Sequence, residues 1–344
     1  MAEEKLIQVQ ALINEFYSKE FYLSYSGLNK LLYSPSLFYK HYILQQREDK
    51  LESYLIDGKV IHCLLLDDGS FDKQFILTPG TLPTGNTRTV VDRIFDYHKN
   101  MPSQDPDNDL VRTFLGLEAY SPQIIEILKE INLHQSLKTD AQRLEKILTA
   151  DAKSYFEFLK LRGAKDLIDE ETLKRCNEAV DALRDNSQVC DLLGLLVSEM
   201  DNVDIHNELS LTGETDKPFG FKGVLDNIKV DHSKKIIYVN DLKTTGKTIS
   251  DFKDTVEFYN YWAQAAIYWR LVAYKFHELL SDYKMVFNFI VVDKYNQVYP
   301  FEVSFDTMQI WQLRLEDKLK EAEWHYTNRN YTLPYQFATN KVIL

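Results

Sequence analysis

Three runs of alternating or apolar residues, 203–212, 219–230 and 235–243, follow one another with only turn signals between them, Gly213 first and then Asp231-His-Ser. A period of two places successive side chains on opposite faces of a strand, so the runs predict three consecutive strands of one sheet. Two further strands are expected over 284–292 and 298–304. They are preceded by a helix from about 256 to 280 and followed by another over 306–328. Upstream of residue 200 the period is helical. Helices are expected over 6–17, from Ser24 through Leu32 with the Ser24 hydroxyl as cap, from Pro35 to Tyr42, and over 54–66. A short strand reads at 74–77 and a loop at 79–86. A helical stretch from Thr89 to about Leu193 is broken at Pro102, Pro106 and Pro122. The fold class is therefore mixed α/β, of the α+β kind. A mainly helical region spans 1–200 and a sheet-bearing core 201–344, expected to form one structural unit around a single cleft.

At 344 residues and 44% hydrophobic content the chain can bury a large core. Its only cysteines, Cys63, Cys176 and Cys190, form no C-x-x-C pair. They cannot supply a four-cysteine metal or iron–sulfur site, and free thiols suit a reducing compartment. The most apolar stretch, 262–273, is interrupted by Gln264 and Arg270, and the opening Met-Ala-Glu-Glu-Lys does not look like a secretory signal. A soluble, cytoplasmic protein without a membrane partner is expected. A net charge of −12 argues against a nucleic-acid partner. Between 217 and 253, however, eight lysines stand against four aspartates, which reads either as a basic groove or as ordinary solvated lysines.

The triplet Asp241-Leu242-Lys243 ends the apolar run Ile236-Ile-Tyr-Val239, and this context sets it apart from other acid-x-lysine triplets such as Asp57-Gly-Lys59 or Asp251-Phe-Lys253. Asp241 and Lys243 lie two residues apart, on one face of the strand. Charges at the end of a buried strand cost free energy unless they are paired or bind an ion. The preceding strand brings Asp226 through a short turn, and Glu208 lies on the strand before that. Three carboxylates converging on one lysine suit a hard divalent cation with phosphate and water as its remaining ligands. Lys243 could orient or deprotonate an attacking water, or stabilise charge in the transition state. The alternative is a salt-bridged sheet edge.

Lys222-Gly-Val-Leu-Asp226 followed by Asp241-Leu-Lys-Thr-Thr245 resembles motifs II and III of the PD-(D/E)xK nucleases. Gln264-Ala-Ala-Ile-Tyr268 resembles the Q-x-x-x-Y element of their RecB/Cas4-like branch. Leu23-Ser-Tyr-Ser-Gly-Leu28 with Ser34-Pro35, and Gly58-Lys-Val-Ile-His62, resemble the N-terminal segment and the G-x-x-x-H element of RecE-like and lambda-type phage recombination exonucleases. The match covers about residues 20–80 and 200–275. It implies a restriction-endonuclease-like core, with a central mixed sheet flanked by helices and a large helical N-terminal or inserted region. It also implies one or two magnesium ions, replaceable by manganese, held by His62, Glu208, Asp226, Asp241 and the backbone carbonyl of Leu242. Lys243 would serve the water, with Gln264 and Tyr268 beside it. Core readings stay open for His62, on an apolar helix, and for Tyr268, on a helix apolar nearly all round. Serine at 34, where iron–sulfur members carry cysteine, implies a cluster-free relative. Asn240 departs from the apolar residue usual before the motif III acid.

The activity implied is resection of linear double-stranded DNA ends for recombination or repair, in a bacterial or phage-infected cell. A single-strand annealing partner and a homo-oligomer belong to the same resemblance. A structure-specific or restriction-like endonuclease, a Cas4-like end trimmer, and a catalytically silent DNA-binding factor are the alternatives.

Overall fold

The computed structural model describes residues 2–46, 53–100, 114–198, 202–340 and 342. Its contacts do not divide at residue 200. One compact unit joins Met1–Asp68 to Asn177–Leu344, and the other is Gly69–Cys176. The first 68 residues belong with the sheet because Leu23, Leu28, Leu31, Phe38 and Ile43 are buried in the same core as its strands.

In chain order the strands are β1 (Tyr22–Leu23), β2 (Phe75–Leu77), β3 (Asp166–Ile168), β4 (Val203–Gly213), β5 (Gly220–Asp231), β6 (Ile236–Thr245), β7 (Lys284–Asp293) and β8 (Val298–Val303). The main sheet runs β4-β5-β6-β7-β8, with β1 parallel to the first residues of β5. From β4 to β8 the neighbours are antiparallel except β6 and β7, which pair in parallel from Ile236↔Lys284 to Thr245↔Asp293. A parallel pair needs a crossover. It is supplied by the helices Phe252–Phe258 and Tyr261–Lys275, whose Phe252, Trp262, Ala265, Ala266 and Leu271 pack in one core with Leu225, Val239, Phe287 and Phe289 of the strands. The helix Phe305–Asn328 adds Leu315, Leu319 and Ala322 to that core, and its Gln312 side chain donates to the Ala266 carbonyl at 2.9 Å. The fold is mixed α/β, a mixed sheet flanked by helices.

Three details depart from the sequence reading. The helix expected over 256–280 is two helices, because Asn260 takes a left-handed backbone (φ 57°) between Phe258 and Tyr261, and the second helix stops at Lys275. Asparagine is among the few residues with a side chain that adopt this conformation at modest cost. β1 falls between the helices expected over 6–17 and from Ser24, where no element is expected. β3 interrupts the stretch read as helical throughout, pairing in parallel with β2 from Phe75↔Asp166 to Leu77↔Ile168. The breaks at Pro102 and Pro106 lie outside the described residues.

The unit Gly69–Cys176 has its own core, with Val90, Ile94, Ile124, Leu128, Ile147 and Phe156 buried together. Its helices Asp140–Ile147 and Ala150–Arg162 start at threonine caps, and Thr139 forms a reciprocal capping box with Gln142.

Candidate metal centre

The pairing register sets the site. Asn207↔Asn227 and Leu209↔Leu225 flank Glu208 and Asp226 on β4 and β5, so these two acids face each other. On the other side of β5 the last pair is Asn227↔Asn240, and one step further Asp226 stands opposite Asp241 of β6. Glu208, Asp226 and Asp241 thus form a row across three adjacent strands. The helix Ser53–Leu66 brings His62 to this row, and Gly58, four residues earlier, faces β6. A Cβ at Gly58 would come within 3.2 Å of the Thr244 hydroxyl, so glycine lets the helix approach that strand.

Ligand atoms of His62, Glu208 and Asp226 all lie within 4.8 Å of one another. His62 Nδ1 is 3.7 Å from Glu208 Oε1 and 3.6 Å from Asp226 Oδ1. Its Nε2 lies 3.1 Å from the Leu242 carbonyl oxygen, which can only accept, so Nε2 carries the proton and donates. Burial alone would depress the imidazole pKa, but Asp226 and Glu208 outweigh it and hold the pKa above the ordinary value. Asp226 divides its oxygens: Oδ2 accepts the Leu242 backbone N–H at 2.7 Å, and Oδ1 faces His62. Glu208 sits in the left-handed region (φ 48°), a costly conformation for a residue with a long side chain.

Asp241 and Lys243 stand slightly apart from that trio. The Asp241 carboxyl is 1% exposed and in ion-pair contact with the Lys243 ammonium, yet among the described residues neither of its oxygens has an aligned hydrogen-bond partner. Burial pushes its pKa up to about 6 against the pull of Lys243. Lys243 is affected in the opposite sense: burial favours losing its proton, but Asp241 and Asp226 hold its pKa above the ordinary value. Its ammonium lies 4.8 Å from the centre of the Tyr261 ring.

Gln264 and Tyr268 project from the helix Tyr261–Lys275, and the Gln264 side-chain nitrogen donates to the Tyr268 hydroxyl at 3.1 Å. Gln264 is 8% exposed and its Oε1 has no hydrogen-bond partner among the described residues. Tyr268 lies over Gly223 of β5, where a Cβ would come within 2.7 Å of the ring. Burial and the nearby acids Asp241 and Asp226 raise its pKa, so the phenol stays protonated.

The sequence reading did not single out Tyr25 and Tyr261. Tyr25 falls inside the Leu23–Leu28 motif, and Tyr261 precedes Gln264 by three residues on the same helix, a spacing that shares a face.

Behind the acids, on the opposite face of the sheet, runs a second row one residue out of step. The Asn227 side-chain nitrogen donates to Asn207 Oδ1 (2.8 Å), Asn240 to Asn227 (2.8 Å), and Asn288 of β7 to Asn240 (2.9 Å). Spare amide hydrogens go to the carbonyls of Leu66 (from Asn207), Leu193 (from Asn227) and Leu192 (from Asn240). Asn240, the departure noted in the sequence, is the middle of this ladder. Sliding any strand by one residue would break the ladder and scatter the acids together.

The donor set fits a hard divalent cation. It offers two close carboxylates, an imidazole nitrogen facing them, and a third buried carboxylate whose oxygens have no aligned donor, while the Leu242 carbonyl lies against the other imidazole nitrogen.

No family model matches the chain, and no curated protein does. Among solved structures it is similar to the crystal structure of a "Putative exonuclease" from Eubacterium rectale. That match has a TM-score of 0.47 and 12% identity, covering 94% of this chain and 89% of the other. So remote a likeness decides nothing about activity. No helix among the described residues is long and apolar enough to cross a membrane.

Proposed function

We propose that the protein is a magnesium-dependent deoxyribonuclease of the PD-(D/E)xK kind that resects linear double-stranded DNA from its ends. The observation that carries this reading is the row Glu208, Asp226, Asp241, flanked by His62 and by a lysine kept charged. His62, Glu208, Asp226, Asp241 and the Leu242 carbonyl would hold the ion. Such an ion supplies an activated water and neutralises phosphate charge, and manganese substitutes for magnesium. Lys243 acts as a fixed cation, because its acids disfavour the neutral form that proton abstraction requires. Aimed at the scissile phosphate, it stabilises charge that develops there and orients the water. Gln264 and Tyr268, donors kept neutral and buried, position the reacting group.

The test is cleavage of one DNA in two forms, with magnesium present. The linear duplex is degraded progressively from its ends, the covalently closed circle stays intact, and linearising the circle restores cleavage. Lys243→Ala lowers the rate by on the order of 100-fold or more. Efficient nicking of the closed circle would replace the exonuclease reading with an endonuclease. No divalent-dependent cleavage of any DNA by folded protein would remove the enzyme reading altogether.

A further inference from the structure

The junction between the two crossover helices exposes two aromatic rings beside Lys243. Phe258 is 72% exposed and Tyr259 44%, with ring centres 4.9 Å apart and planes nearly perpendicular. Tyr259 stacks on Tyr261 at 5.5 Å, and Tyr261 carries the Lys243 ammonium over its face. On the far side the Lys247 ammonium lies 5.5 Å from the Phe258 ring. The path from Asp241 to Phe258 is therefore continuous: lysine, ring, ring, ring, lysine. Neighbouring Glu257 does not place an unmatched charge here, because Arg314 binds both of its oxygens at 3.0 and 2.7 Å.

The junction is held in place. Tyr25 donates its hydroxyl to the Tyr259 carbonyl, Asn29 donates to the same oxygen at 3.3 Å, and Asn260 donates to Asn29 at 2.7 Å. Trp262 closes the turn by donating to Asn260 at 3.1 Å. A turn tied this firmly could have buried its rings, and instead it presents them to solvent. Exposed rings interleaved with lysines suit one ligand chemistry, stacked bases joined by phosphates. Inside a duplex the bases hide their faces against their neighbours, so two exposed rings in succession suit a strand that has come unpaired.

We infer that Phe258 and Tyr259 form a stacking shelf for the bases of a single-stranded segment, with Lys243 and Lys247 placed along its phosphates. The inference rests on the nuclease reading and adds to it that the strand at the metal centre is unpaired there.

The experiment measures binding of a labelled oligothymidylate and of an abasic strand of equal length and charge. Calcium is present, so that binding is read without depending on turnover. Wild type binds the thymidylate more tightly than the abasic strand. Phe258→Ala and Tyr259→Ala each weaken thymidylate binding on the order of ten-fold and leave abasic binding unchanged, whereas Phe258→Trp retains the preference. Both side chains are exposed, so the melting temperatures of these variants stay near wild type. Unchanged thymidylate binding in the double alanine variant overturns the shelf. So does an equal loss on both strands, or a wild-type dimer that Phe258→Ala converts to monomer. If linear duplex is still cleaved in those cases, the nuclease reading stands without the shelf. Wild type that binds neither strand also overturns the shelf, and cleavage of the linear duplex then decides the nuclease reading separately.

Discussion

At the scale of single residues, the candidate site holds features that a stability-optimised protein would not keep. Asp241 is an acid at 1% exposure whose pKa is driven up by burial, so its ionised form at neutral pH opposes folding. Asp241→Asn is therefore expected to raise the melting temperature of the metal-free protein while abolishing divalent-dependent cleavage. Thermal melts in EDTA beside a nuclease assay measure both, and a destabilised variant would show that the Lys243 pair is structural instead. Glu208 makes the same point through its backbone. Glycine tolerates φ 48° freely, so Glu208→Gly should gain about 1 kcal/mol of stability and lose metal affinity. Denaturant midpoints and metal titration separate the two effects, and a fall in stability would contradict the strain argument. Glu208 and Asp226 could be nominated from sequence because a strand's period and a turn's length fix which side chains can meet, whereas His62 was nominated through its resemblance to the G-x-x-x-H element. The left-handed conformation at Glu208 could not, since neither its residue type nor its neighbours signal it.

At the scale of elements, the sheet was legible and its fine structure was not. Strands β4 to β8 announce themselves through alternation or through runs buried on both faces. β1 and β3, at two and three residues, are too short for a period to appear. The break at Asn260 has no glycine or proline beside it, and the apolar pattern runs through it uninterrupted. The asparagine ladder was visible only as an anomaly at Asn240, because its meaning depends on partners on three other strands. The β5–β6 hairpin, which sets the opposition of Asp226 and Asp241, is closed by a charge. Asp231 Oδ1 accepts the Lys234 backbone N–H at 2.9 Å, and Oδ2 lies 3.3 Å from its ammonium. Burial works against ionisation, but these contacts outweigh it and hold the carboxyl below its ordinary pKa. A depressed folded-state pKa means that the unfolded chain binds the proton more readily. The contribution to stability is then present above the unfolded value of about 4 and is lost as the pH falls below it, towards the folded value. Asp231→Asn should flatten that acid limb in a series of melts from pH 6 to pH 2.5. An unchanged limb would assign the acid sensitivity to other groups.

At the scale of the whole molecule, the surplus of lysine between 217 and 253 does not amount to a basic groove. Lys217, Lys229, Lys234, Lys235 and Lys243 each contact an acid, and Lys229 is buried against Asp191. Lys222, Lys247 and Lys253 remain without an ion pair among the described residues. On a chain of net charge −12, attraction to phosphate must therefore come from a few lysines and from a bound cation. Both phosphate binding and cleavage thus depend on the metal centre. Calorimetric titration of manganese into metal-free protein tests it most directly. Wild type should bind saturably, with affinity weakened at least about ten-fold in Asp226→Asn and in His62→Ala, both still folded, and unchanged in Asp204→Asn, which alters an exposed acid paired with His232. Folded wild-type protein without saturable binding, or equal affinity in Asp226→Asn, would contradict it.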